Sequence, residues 1–389
     1  MPPADVVVVG GGIMGASTAY HLARAGVTGV VLLEGDDLAA GSSGKPLGGV
    51  RAQFSDRANV ELGARSLAAF RRFGDEVGVD IGLRPVGYLF VLRDAGDVAP
   101  FEAGVAVQNS LGVGTRMVEA GEAVALCPYL DPGVVVAASW SRDDGFARPT
   151  DVVRGYAAAA ERLGAVVRTG ARVVGIDVAG ERATVTTAAG ERWTAPALVC
   201  TAGAWSGEVA AMVGVHLPIR PLRREIAFTG PPLPPAPAPP ARAAGLPFTI
   251  DYSTTAYFHP AEDGGLLLGW SDPDQPEGFD RSVSSGWHEG LRAALRVVAP
   301  SLADVPLGRG WAGLYEVTPD YNALVGQTAA PGFRFLYAAG FSGHGFLQGP
   351  AVGECLRDLY LGVPPPVDVS VFDATRFEAG KPRQELGIV

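Results

Sequence analysis

The stretch Val6-Val7-Val8-Val9-Gly10-Gly11-Gly12-Ile13-Met14-Gly15-Ala16-Ser17-Thr18-Ala19-Tyr20-His21-Leu22-Ala23-Arg24-Ala25-Gly26 decides how the chain begins to fold. Four consecutive β-branched valines without polar alternation read as a strand covered on both faces, spanning Asp5 to Gly10. A glycine cluster follows, then Ile13–Ala25 reads as a helix with small residues toward the sheet. Val30–Leu33 is a second apolar strand, ending at Glu34, so the order is strand, turn, helix, strand. Gly10, Gly12 and Gly15 fit G-x-G-x-x-G in that setting. Gly10 permits the tight turn, Gly12 leaves room for a pyrophosphate, and Gly15 lets helix and sheet approach. The first-turn N–H groups at Ile13 and Met14 then face the phosphates. Glu34, 22 residues after Gly12, is placed to accept from a ribose diol, and its charge disfavours a 2′-phosphate. The plainer reading of Glu34 is a solvated charge at a strand end.

Around this unit the chain has 389 residues, 48% of them hydrophobic, enough for two domains and too apolar for disorder. Acidic residues outnumber basic ones 41 to 31, a net charge of −10 that argues against nucleic acid or anionic membrane as partner. Cys127, Cys200 and Cys355 lack C-x-x-C spacing and give neither a disulfide framework nor a metal site. With no basic leader before Val6 and no run of about 18 apolar residues, we expect a soluble cytoplasmic protein without a membrane span. All the basic residues but Lys45 and Lys381 are arginine.

Further helices are expected over Arg57–Phe73 and Thr150–Leu163, the latter capped by Thr150, favoured by Asp151 and closed by Gly164. Strands are expected over Ala165–Arg168, Arg172–Asp177, Ala183–Thr187 and Trp193–Val199, the second and third as a hairpin. Between Arg220 and Tyr315 the apolar and polar residues alternate, which reads as antiparallel sheet. The proline-rich stretch 231–240 within it reads as an exposed loop. Phe333–Ala338 is apolar again and leads to a helix over Phe346–Tyr360. The expected fold class is therefore α/β with an α+β substrate domain. A Rossmann-like nucleotide domain is assembled from residues 1–80, 145–218 and 320–389, and a mainly antiparallel domain from residues 81–144 and 219–319.

The glycine motif does not separate FAD from NAD. The late return to the same sheet favours FAD, as do two glycine- and serine-rich segments, Ala40–Lys45 and Gly340–Phe346. An NAD-dependent dehydrogenase is the rival reading.

The chain also resembles the D-amino-acid oxidase and sarcosine oxidase family of FAD enzymes, most closely its sarcosine oxidase β-subunit-like branch. The resemblance rests on VVVVGGGIMGASTAYHLARAG, GSSGKPLGGVRAQF, CTAGAWSGEVA, GWAGLYEVTPDYNALVG and AAGFSGHGFLQGPAVGE, spread from residue 6 to residue 354. It implies a glutathione-reductase-type FAD domain, an antiparallel substrate domain over the flavin, and oxidation of a C–N bond. The implied substrate is a small amino acid or N-alkylamino acid, sarcosine- or proline-like, oxidised by hydride transfer to flavin N5 to give an imine that hydrolyses. Primary D-amino acids or glycine remain open, as do oxygen or another electron acceptor and a hetero-oligomeric subunit in which FAD relays electrons.

By the same resemblance, Gly10, Gly12, Gly15 and Glu34 match ADP contacts, and Ser42, Ser43 and Lys45 fall in the flavin loop. Val173 borders the adenine; Ala202, Gly203 and Trp205 lie over the phosphates and flavin edge; Gly343, His344, Gly345 and Phe346 lie beside the pyrimidine ring. Arg51 matches a carboxylate-binding arginine, and Tyr257 and Tyr315 match pocket tyrosines, with Tyr252 and Trp270 looser candidates. His344 is assigned a hydrogen bond to the substrate or an influence on its pKa. The sequence departs from monomeric sarcosine oxidases at four positions. The cysteine that carries a covalent flavin falls at or beside Gly313, so FAD is expected to be noncovalent. Leu267 replaces the oxygen-activating lysine, Ser271 an active-site histidine and Leu347 a carboxylate-binding lysine. Lys45 is the candidate to compensate for Leu267.

Overall fold

The computed structural model describes residues 4–45, 47–236, 245–330, 333–380, 382–383 and 385. A six-stranded sheet runs in the order Leu324–Ala330, Phe333–Ala339, Ala197–Cys200, Val6–Val9, Val30–Leu33, Val166–Arg168. Its pairs are parallel except the first, which is an antiparallel hairpin. The valine run behaves as its composition requires. Val6 and Val8 pack with the helices Ile13–Arg24, Pro149–Arg162 and Gly345–Leu361, while Val7 and Val9 pack against a three-stranded sheet, Arg192–Ala195, Arg182–Thr187 and Val173–Ala179, which carries Trp193. Both faces are covered, so no polar alternation survives. The helices Ile13–Arg24 and Gly345–Leu361 cross closely: a Cβ on Gly349 would lie 2.3 Å from Ile13, and one on Gly353 2.2 Å from the Ser17 hydroxyl.

The second layer of the molecule is an eight-stranded sheet. Its order is Leu307–Val317, Arg220–Thr229, Leu266–Trp270, Ala256–Pro260, Phe248–Asp251, Tyr88–Leu92, Ala137–Ser141, Thr115–Glu119. One face packs on the helix Ser285–Val298; the other presents Tyr88, Phe90, Ile226, Phe228, Phe248 and Tyr257.

Several expectations are corrected. Trp193–Val199 is two strands in different sheets, Arg192–Ala195 and Ala197–Cys200, because Pro196 has no N–H to continue a ladder. The helix near Thr150 starts one residue earlier, with Pro149 at its first position, where the missing N–H costs nothing, and the Thr150 side chain caps nothing. Arg57–Phe73 ends at Arg71 and a short helix restarts at Phe73. The stretch from Arg220 to Tyr315 contains the helix Ser285–Val298, and the eight-stranded sheet has one parallel pair, Phe248–Asp251 with Tyr88–Leu92. In the proline-rich stretch, residues 231–236 are neither helix nor strand; 237–240 lie outside the described residues. Among the described residues no helix is long and apolar enough to cross a membrane, and no cluster of His, Cys, Asp and Glu is set to hold a metal.

Candidate active site

A cavity of about 380 Å³ lies between the two sheets and joins residues from every motif quoted above. At one end it is made of backbone. Gly10 has φ +109°, and a Cβ there would sit 2.3 Å from the Thr201 carbonyl oxygen. A Cβ on Gly15 would be 1.8 Å from the Gly10 carbonyl oxygen, so Gly15 braces the turn from behind and does not itself line the cavity. Gly12 leaves the mouth of the helix open, with Ser43 Oγ 3.0 Å from a Cβ built there. That hydroxyl accepts from the Ile13 N–H at 2.9 Å. Met14, Ser42 and Ser43 all line this wall. Glu34 is tied to the turn: Oε2 accepts from the Gly11 N–H at 2.6 Å and Oε1 from the Asp36 N–H at 2.8 Å. Its carboxylate is therefore oriented by backbone and is not simply a solvated strand-end charge. Val173, Ala202, Gly203 and Trp205 continue the lining, with Trp205 stacked on Phe279 at 5.4 Å and Arg281 5.8 Å above its ring.

At the other end the cavity is made of side chains. Arg51 is buried, donates to the Gln53 carbonyl, and lies 4.3 Å from the Phe54 ring centroid and 5.2 Å from that of Phe90. Burial lowers its pKa from the ordinary guanidinium value, against the pull of Tyr88 and nearby acids. One of those acids, Asp144, is fully buried and accepts from the Ala52 N–H at 3.3 Å and from Gln53 Nε2 at 3.4 Å; burial pushes its pKa up to about 6. His344 is buried with Nε2 unpartnered and its ring edge-on to Phe54 at 5.2 Å. Desolvation, then the Arg51 charge, holds it well below the usual imidazole range, so it is neutral at pH 7. Tyr257 and Tyr315 are packed by glycines opposite them. A Cβ on Gly269 would strike the Tyr257 ring at 2.0 Å, and one on Gly343, at φ +102°, would strike the Tyr315 ring at 2.7 Å. Burial raises both phenol pKa values, so both hydroxyls keep their protons. Gly345 and Phe346 line the cavity where the last long helix begins.

Lys45 bridges the two ends. Its carbonyl accepts from Trp311 Nε1 at 2.8 Å, and its Nζ is 5.8 Å from the Trp311 ring centroid. A Cβ on Gly313 would lie 2.8 Å from Lys45 Cβ, so the lysine fills the room a side chain at 313 would need.

Two looser candidates lie elsewhere. Trp270 sits on the opposite face of its strand from Gly269, with its ring against Gly290 of the helix Ser285–Val298. Tyr252 packs edge-on against Phe101 and does not line the cavity. The residues overlooked in the sequence are Asp144, Arg224 and Glu316. Glu316 is half-buried in the cavity wall, its pKa pushed up to about 7 by desolvation, with Oε1 accepting from the Phe341 N–H at 3.4 Å and Oε2 unpartnered. Only strand parity places Arg224 and Tyr315 on one face, and that signal was available; nothing in the sequence marks Asp144.

The set fits an FAD. The open helix terminus and glycine turn suit a pyrophosphate, Glu34 suits a ribose, and Gly343, Gly345 and Phe346 line the far end of the same cavity.

Comparison with known proteins agrees. Residues 5–359 match the family model described as FAD dependent oxidoreductase, DAO. FAD-dependent oxidoreductase domain-containing protein 1 of Xenopus laevis is 28% identical over 438 residues, covering 100% of this chain and 86% of that protein. Glycine oxidase of Bacillus licheniformis is 28% identical over 382 residues, covering 96% of this chain and 98% of that one. The solved structure of L-proline dehydrogenase from P. horikoshii superposes with a TM-score of 0.88 at 30% identity, covering 98% of this chain and 99% of that one.

Proposed function

Because the chain belongs to the FAD dependent oxidoreductase family and is an FAD-dependent oxidase or dehydrogenase, we propose that it oxidises the C–N bond of a small amino acid or N-alkylamino acid. Within the family, the motifs at 310–326 and 338–354 keep our reading on the sarcosine oxidase β-subunit-like branch. The observation that carries the substrate assignment is the convergence of Arg51, Tyr257, Tyr315 and His344 on the cavity that also holds the glycine turn.

FAD, when bound, supplies the two-electron acceptor for the hydride that leaves the substrate carbon. Gly10, Gly12, Ile13, Glu34, Ser42 and Ser43 would hold its ADP half, and Gly343–Phe346 its ring end. Lys45 fills the space beside Gly313, which supports noncovalent attachment. The Arg51 fork takes the substrate carboxylate in charge-assisted hydrogen bonds, and the Tyr257 and Tyr315 hydroxyls donate to the same group. Neutral His344 accepts an amine N–H at Nε2, holding nitrogen and carbon in one orientation. The cations around the cavity favour the free amine over the ammonium. Loss of the hydride leaves an imine, which water hydrolyses to a carbonyl compound and an amine or ammonia. Lys45 supplies the positive charge that Leu267 lacks for stabilising negative charge during reoxidation. This reading keeps the division into residues 1–80, 145–218 and 320–389 for FAD, and 81–144 and 219–319 for substrate.

A primary amine such as glycine is the second reading, favoured by the glycine oxidase relative that matches along nearly its whole length. The test is anaerobic mixing of the holoenzyme with sarcosine, L-proline, glycine and D-alanine, followed by reoxidation with air or a dye. Loss of the flavin's visible absorbance with at least one of them is expected. Colour unchanged by amino and N-alkylamino acids of either hand would remove the proposal.

A further inference from the structure

Two consecutive arginines on the strand Arg220–Thr229 meet opposite fates. Arg223 is paired: its Nε is 3.2 Å from Glu225 and its Nη1 2.5 Å from Asp280. Arg224, one residue on, points to the other face of the sheet and lines the cavity. None of the salt bridges among the described residues involves it. Its Nη1 donates to the Arg223 carbonyl at 3.2 Å, its guanidinium lies 5.3 Å from the Tyr315 ring centroid, and its Nε is buried without a partner. The strand register sets it opposite Gly313, whose missing side chain leaves that wall open except for Lys45.

Arg51 and Arg224 both act on the Tyr315 hydroxyl, lowering its pKa against the dominant effect of burial. The Arg224 guanidinium faces the Tyr315 ring from its strand, and Arg51, just past the strand Gly49–Val50, lines the same cavity. Arg51 is clamped between Phe54 and Phe90. The Arg224 Nε–H is buried and has no acceptor among the described residues, and it belongs to the edge at which guanidinium takes a carboxylate in a two-point contact. An unpaired cation with a buried donor in an enclosed site is costly unless a ligand satisfies it.

We infer that Arg224 is a specificity-determining residue that binds a second carboxylate, and that the preferred substrate is an amino or N-alkylamino dicarboxylate. The inference rests on the reading that the first carboxylate sits on Arg51. The substrate then spans Tyr315, its α-carboxylate on one arginine and its distal carboxylate on the other. A substrate with a neutral or apolar side chain leaves the Arg224 edge unsatisfied, and this is what discriminates.

Binding, read without turnover, tests the idea separately from the oxidation chemistry. The holoenzyme is titrated with malonate, succinate and glutarate, each against its own monoamide, following the perturbed flavin spectrum or heat. The monoamide matches the diacid in shape and lacks one charge. The expected result is that at least one diacid binds about tenfold or more tightly than its monoamide, the scale of a charge-assisted hydrogen bond, and that Arg224→Gln brings that ratio close to one. Arg224→Lys should keep part of the preference, since a point charge replaces the fork. No preference for any diacid in the wild type would overturn the inference, because both arginines would then serve one carboxylate. A preference that survives in Arg224→Gln would overturn it as well. Should the diacids behave as expected while no amino acid reduces the flavin, the C–N oxidation fails and the second anion site stands. Oxidation of sarcosine with no diacid preference gives the reverse.

Discussion

At the nucleotide end of the cavity, the shape is set mainly by backbone from one early stretch: the Gly10 turn, the Ile13 N–H on Ser43, and Glu34 held by the Gly11 N–H. At the substrate end they are made by side chains from residues 51, 224, 257, 315 and 344, brought together by two sheets and a helix start. The first kind of site depends on what cannot be added to a glycine. The second depends on which side chain a strand turns inward, and on the cost of burying its charge. The two ends should therefore fail differently when perturbed.

The largest effect is expected at Gly15. A valine there drives its Cβ into the Gly10 carbonyl, a backbone atom that cannot rotate away. We predict loss of about 3 kcal/mol or more of stability together with FAD, read as a lower Tm and colourless protein. Gly12→Ala separates fold from binding: its Cβ meets only the Ser43 side chain, with no backbone in the way, so the protein should fold and hold FAD more weakly. If Gly15→Val retained FAD at wild-type Tm, the backbone account of that end would be wrong.

Arg51→Gln comes next. It should lower kcat/KM for the amine substrate by roughly a hundredfold, about 3 kcal/mol of charge-assisted bonding, with FAD content maintained. FAD loss equal to the activity loss would mean that the two ends are not separable. Lys45→Met should slow reoxidation by oxygen about tenfold, an effect of roughly 1.4 kcal/mol, in stopped-flow mixing while leaving anaerobic reduction unchanged. An unaltered reoxidation rate removes the lysine's role.

The most gradual effect concerns pH. Glu316 has a folded pKa of about 7, above its ordinary 4.5, and Asp144 of about 6, above 3.8, both through burial. The folded chain binds these protons more tightly than the unfolded one, so their contribution is fully present at low pH. It is lost as pH rises from about 4 to about 7, at roughly 1 kcal/mol per pH unit for each group still titrating. Glu316→Gln should flatten thermal stability measured between about pH 5 and about pH 8. An unchanged slope would place that proton elsewhere.

The same contrast explains what the sequence disclosed. Four valines, the glycine turn and Glu34 are local, and the strand, turn, helix and strand from Val6 to Leu33 follow from them. Arg51, Tyr257, Tyr315 and His344 were reached through a resemblance, because their proximity is a property of sheet register and not of spacing. Trp270 was misassigned for the same reason: one residue separates it from Gly269, and one residue reverses the face of a strand. The helix Ser285–Val298 was hidden inside alternating texture. Asp144 became visible only when the two-stranded ribbon of Gly49–Val50 with Gly145–Phe146 brought its loop beside Arg51 and Gln53.

The most direct test of the central claim, that one cavity holds FAD at its backbone end and a substrate carboxylate at its side-chain end, is a crystal structure of the holoenzyme with 2-furoate, an acid that cannot be oxidised at a C–N bond. The account predicts pyrophosphate density at Gly12 and Ile13, and the furoate carboxylate within hydrogen-bond distance of Arg51, with the flavin ring beside it. Furoate bound away from Arg51, or a flavin ring lying outside the cavity bounded by Tyr315 and His344, would contradict it.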